Sequence, residues 1–171
     1  FMSNIQVNNN ILNLVQLQEE LDGILFDYID TSQKWNQAFE RLEELLRQTI
    51  SYFTSYVRNE GKVPEGNVFW ALYMDIVAKI IYYKTLSYMN LESNSVEKKD
   101  EIIKALHDAV NCLPNVEKRN HELLQEISNT YEKLELFNGN EGEFERHYIE
   151  KNNTLEDCIK YFNEFCKNEV K

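Results

Sequence analysis

Glycine and proline are scarce in this chain, five and two among 171 residues, which is far from the Pro/Gly-rich profile of disordered chains. No run of about 18 or more uncharged apolar residues occurs, so no segment is expected to insert in a membrane. The lead Phe1-Met2-Ser3-Asn4 has neither the basic nor the apolar region of a secretory signal, and Phe1 ahead of Met2 reads as a cloning remnant. Neither Gly-x-x-x-x-Gly-Lys nor Gly-x-Gly-x-x-Gly is present, which excludes the two common glycine-rich phosphate cradles and the nucleotide enzymes built on them. Positive charge is in the minority: 18 Lys and Arg face 29 Asp and Glu, a formal charge of −11. Such a field repels a nucleic-acid backbone or an anionic lipid surface and attracts a basic peptide or protein surface. The three cysteines, Cys112, Cys158 and Cys166, are odd in number and form no Cys-x-x-Cys pair. They fit reduced thiols in a reducing compartment, so an intracellular, cytoplasmic or nuclear location is expected.

What is present is a 43% hydrophobic, 12% aromatic chain patterned as helices. After a polar lead over residues 1–10, Ile11, Leu14, Leu21, Leu25 and Tyr28 predict a first helix ending near Ile29. Asp30, Thr31 and Ser32 offer capping side chains for a second helix, in which Trp35, Ala38, Phe39, Leu42, Leu45, Leu46, Ile50 and Phe53 follow 3,4 spacing. Gly61, Pro64 and Gly66 break it, and Asn67 reads as the next N-cap. Residues 68–89 are apolar on nearly every face, with Asp75 and Lys79 the charged residues before Lys84, which predicts the most enclosed helix. A capping box at Asn94 and Glu97 opens a fourth helix that ends at Pro114. Val116, Leu123, Ile127, Tyr131 and Leu134 define a fifth, stopping near Asn138-Gly139-Asn140. Phe144, Tyr148, Leu155, Ile159, Phe162 and Phe165 define a sixth, interrupted at Asn152-Asn153 and restarted by Thr154. The expectation is therefore an all-α, single-domain antiparallel bundle of about six helices, or stacked helical hairpins, over residues 11–168.

Patterns that could carry chemistry fall short. His121-Glu122-Leu123-Leu124-Gln125 has Gln125 where the zinc-protease pattern needs its second imidazole, and a neutral amide is a poor zinc ligand. Lys104, Lys118 and Phe144 precede His107, His121 and His147 by three residues, so the Glu-x-x-His pairs of di-iron bundles are missing. His107 and Cys112 are out of register for contact on one helix, which leaves buried structural thiols as the simpler reading. No metal or cofactor is implied. Asp75 and Lys79 stand out as an ion pair one turn apart in an apolar helix, either paired internally or facing a groove. With Trp70, Tyr73 and Tyr83 they are the candidate partner-binding residues, because aromatic side chains dominate binding hot spots.

Glu65-Gly66-Asn67-Val68-Phe69-Trp70 with the following Asp75, preceded by Tyr52-Phe53-Thr54-Ser55-Tyr56, resembles the central helices of the 14-3-3 family over some forty residues. That resemblance implies an all-helical adaptor. The family's phosphate-holding Tyr-Tyr-Arg-Tyr is replaced here by Ile76, Val77, Ala78 and Lys79, so no phosphate site is implied. Trp35 and Trp70 are also spaced near the roughly 34-residue period of tetratricopeptide hairpins, with Met74 where that repeat has a small residue. The expected function is a non-enzymatic interaction module, an adaptor or complex subunit that offers a helix face or inter-helix groove to another protein. The alternatives are a self-associating structural protein and an enzyme using one of the thiols or a nonstandard site.

Overall fold

The computed structural model describes residues 14–60, 68–91, 98–135 and 152–169, and among them every regular element is helical. Helix α1 covers residues 14–30, its last turn, Leu25–Asp30, being a π-helix. It is followed by α2 (Trp35–Glu60), α3 (Val68–Leu91), α4 (Lys99–Asn111), a 3-10 turn (Val116–Lys118), α5 (His121–Glu135) and α6 (Leu155–Glu169). The expected all-α bundle of six helices is what forms.

Helix α3 is the axis, packed against α2, α4 and α6. Trp70, Tyr73, Met74, Ile76, Val77, Ala78, Ile80, Ile81 and Tyr82 are all buried, so consecutive positions point into protein on every side. The other helices bury one stripe each. On α2 the stripe is Ala38, Leu42, Leu45, Leu46, Ile50 and Phe53; on α4 it is Ile102, Leu106, Ala109 and Val110; on α6 it is Cys158, Ile159, Phe162 and Cys166. These 3,4 spacings place one side chain per turn toward α3, each fully buried aliphatic or aromatic contributing about 1.5–3 kcal/mol relative to exposure. The α2–α3 pair is antiparallel: the Phe53 ring meets Trp70 at 5.6 Å near one end and Phe39 meets Tyr88 at 5.8 Å near the other.

Three local expectations are corrected. Thr31 and Ser32 do not cap α2; their hydroxyls donate back to Phe26 O and Asp27 O, closing α1, and α2 opens at Trp35. Val116 lies outside α5, 44% exposed in the 3-10 turn. There Glu117 and Lys118 take φ of 59° and 60°, a left-handed pair that interrupts helix formation before His121. Asp75 does not pair with Lys79. It accepts from Arg119 Nη2 at 2.7 Å and from Asn120 Nδ2 at 2.8 Å, fastening α3 to the α4–α5 connection. The break at 152–154 is present, and Thr154 restarts the chain as α6 by accepting from the Asp157 N–H. Asn153 and Asn115 join the two helix ends there, Asn153 Nδ2 donating to Val110 O at 3.2 Å and the Asn115 N–H to Asn153 O at 2.9 Å. The proposed caps at Asn67 and Asn94, the stop at residues 138–140 and the Phe144 and Tyr148 positions lie outside the described residues.

Candidate functional site

The five residues singled out from sequence fall into separate places. Trp70 and Tyr73 are 1% and 2% exposed. Their rings join Phe53, Phe69 and Phe162 in one aromatic cluster, and the Tyr73 hydroxyl donates to Thr49 O. Neither presents a surface to a partner in this packing, because the aromatic signal that marked them is a core signal. Asp75 belongs to the Arg119–Asn120 joint. Lys79 is half-buried, with no ion pair among the described residues. Tyr83 is half-buried beside Tyr82. Burial, with the charges of Glu126 and Asp30, pushes its phenol up to about 12.

The groove that does form lies where α2, α3, α4 and α6 converge. Helical spacing builds it: Ile81, Lys84, Thr85 and Tyr88 line one face of α3 at 3,4 intervals, and Phe39 and Leu46 lie two turns apart on α2. Ile102 and Ala105 of α4 and Phe165 of α6 complete an apolar floor around a cavity of about 220 Å³. Phe39, Tyr88 and Phe165 are partly exposed along it. Lys84 holds its ammonium 5.7 Å from the Phe39 ring centroid, so the cation covers an aromatic face while reaching water. At the α4 wall Asp108 is 5% exposed, accepts from the Tyr161 hydroxyl and pairs with Lys104 Nζ at 3.1 Å. Burial and the Asp108 carboxylate push the Tyr161 phenol above its ordinary range. The rim is thus charged, with Lys104 and Asp108 paired across one turn of α4. The cavity is smaller than the roughly 300–1,000 Å³ of small-molecule sites and matches one or two side chains of another protein. Two further concavities flank α1: an apolar one of about 130 Å³ among Leu17, Tyr52, Phe69 and Tyr73, and a polar one of about 470 Å³ beside Glu20, Asp27, Arg41 and Glu44.

The thiols are poorly placed for nucleophilic work. Cys112, Cys158 and Cys166 are all free and buried. Burial, reinforced by Cys158 and Asp108, pushes the Cys112 thiol well above its ordinary value, and Cys166 is pushed up to about 12 by burial. Thiolate, the reactive form, is therefore suppressed at Cys112 and Cys166 at neutral pH. His121 and Glu122 are exposed on the first turn of α5, and Gln125 donates to Asn129. No group of three or more His, Cys, Asp or Glu among the described residues is placed to hold a metal ion. No described helix is long and apolar enough to cross a membrane.

The sequence marks Phe39 as part of the apolar stripe of α2 and Tyr88 as part of an all-round apolar α3, but neither signal distinguishes a groove wall from core. What the sequence lacks is any sign that α4 and α6 approach those two residues. No family model matches the chain, and neither curated proteins nor solved structures contain a significant match to it. The class defined by fold and site is an all-α helical bundle with an apolar inter-helix groove.

Proposed function

We propose that this protein is a non-enzymatic interaction module, an adaptor or complex subunit, that receives apolar side chains of another protein in the groove between α2, α3, α4 and α6. One observation carries the reading: partly exposed Phe39, Tyr88 and Phe165 surround a pocket sized for side chains. Aromatic anchors around a small apolar pocket are the usual makings of a binding hot spot. The resemblance to helical adaptors points the same way, and the charge of −11 favours a partner with a basic surface around its apolar anchor. Buried free thiols fit an intracellular setting, cytoplasmic or nuclear. The test is affinity purification of the tagged chain beside Phe39→Asp and Tyr88→Asp, with helical content checked by circular dichroism. A stoichiometric partner retained by the parent chain and by a Val116→Asp control, and lost from both groove variants, supports the proposal. Retention by both folded groove variants rejects it.

Self-association is the second reading, favoured by Val68 and Leu72, which are 75% and 43% exposed one turn apart on α3. Light scattering separates the two, since a mass fixed at 20.4 kDa over a wide concentration range removes self-association.

A further inference from the structure

The groove between α2, α3, α4 and α6 is not purely apolar, and its polar groups are unevenly signed. Three carboxylates line it, Glu101, Asp108 and Glu169, against two ammonium groups, Lys84 and Lys104. Helices α4 and α6 pass each other in opposite directions here: Asp108 accepts from the Tyr161 hydroxyl, and two turns away along each helix Glu101 and Glu169 border the same cavity. Both lysines are already engaged. Lys104, 72% exposed, pairs with Asp108 at 3.1 Å, and Lys84 holds its ammonium over the Phe39 ring. Two of the carboxylates are less committed. Glu101 meets Lys98 at 3.7 Å with both side chains largely exposed, a pair of little strength, and Glu169 has no ion pair among the described residues. Aromatic faces stand beside them. Phe39 and Tyr88 lie 5.8 Å apart at a 37° tilt, and Phe165 is the third ring of the cavity. A ring face attracts a cation within about 6 Å of its centroid, and the Lys84 ammonium, at 5.7 Å, shows that the Phe39 face seats one.

We infer that the groove reads an arginine side chain of its partner: the guanidinium lies against the Phe39 and Tyr88 rings and bonds Glu101 and Glu169, while its stem and an apolar neighbour cover Ile81 and Ile102. This rests on the groove reading above and supplies the chemistry of the guest. Arginine suits the walls better than lysine, because its planar, weakly hydrated guanidinium stacks on rings and donates to carboxylates in pairs. An added cation also suits the local charge, since carboxylates outnumber ammonium groups in the cavity by three to two, in a chain of net charge −11. Lys84 is then the internal competitor, its ammonium holding the ring face that the guest takes.

The isotope-labelled whole chain, titrated by NMR with three probes that share a phenethyl arm, tests it: phenethylguanidinium, phenethylammonium and the neutral phenethylurea. The guanidinium should shift resonances of Phe39, Tyr88, Ala105 and Phe165, and bind at least about fivefold tighter than the urea and about threefold tighter than the ammonium. Lys84→Met should tighten guanidinium binding about two- to fivefold by removing the competing cation. The exposed pair Glu101→Gln/Glu169→Gln should weaken it at least about threefold. Neither change should move the urea. Equal binding of the urea in the groove would overturn the arginine assignment and leave the apolar groove standing, and equal binding of the ammonium would overturn it in favour of any cation. Guanidinium shifts confined to the acidic surface outside the groove, no groove shift with any probe, or no gain from Lys84→Met would each overturn it as well. The groove reading itself is decided separately, by partner retention in Phe39→Asp and Tyr88→Asp.

Discussion

Asp75 shows how one residue can be conspicuous in a sequence and still mislead about its partner. Its carboxylate fastens Arg119 and Asn120, and Asn120 in turn donates to Pro114 O at 2.6 Å, so the strained Glu117–Lys118 turn is held from both sides. Spacing along α3 favoured Lys79, because only neighbours on the same helix are visible in a linear pattern; Arg119 becomes adjacent only through the bundle. Asp75→Ala is expected to lower unfolding free energy by about 1–3 kcal/mol in urea titration, and Lys79→Ala to change it by less than about 0.5 kcal/mol. Comparable losses from both would restore the pairing along the helix. The phenol of Tyr83 and the thiol of Cys166 make a second prediction at this scale. Each is pushed up to about 12, so each keeps its proton more firmly folded than unfolded. Their contribution is complete below about pH 8, under the ordinary values of both a thiol and a phenol, and is lost as pH rises toward about 12. The urea midpoint should therefore fall steadily above about pH 8, and Cys166→Ala should flatten that fall.

At the level of helices, the sequence was most informative where the pattern was most extreme. Residues 68–89 lack a polar face, and α3 is enclosed on nearly every side for that reason. The 3,4 stripes of α2, α4 and α6 were legible too, because burying one face imposes the period. Helix ends were less legible. Thr31 and Ser32 can serve a following N-terminus or a preceding C-terminus, and only the path of the backbone decides between them. Val116 fits an apolar period yet is excluded from α5 by two left-handed residues that no periodicity reveals. The enclosure of α3 predicts an asymmetry between positions five residues apart. Val77→Asp buries an unpaired charge and should cost at least about 4 kcal/mol, while Leu72→Asp, on the open side, should cost less than about 1 kcal/mol in the same titration. Similar costs at the two positions would mean that α3 is not enclosed as described.

For the molecule as a whole, the bundle could be read from the sequence but the groove could not. Its walls come from four helices, and the meeting of Phe39, Tyr88, Ile102 and Phe165 depends on how those helices rotate against one another. Aromatic content alone pointed to Trp70 and Tyr73, which fill the core instead, since large rings are the strongest contributors to burial before they are anything else. Everything proposed for the surface rests on α3 being the interior axis, with its rings committed to packing. Acrylamide quenching of tryptophan fluorescence in a Trp35→Phe variant tests this most directly, because Trp70 is then the sole reporter. Emission shielded from the quencher until helical content is lost in the same cooperative transition is the result expected of a ring 1% exposed. Ready quenching of Trp70 in the fully helical chain would contradict it.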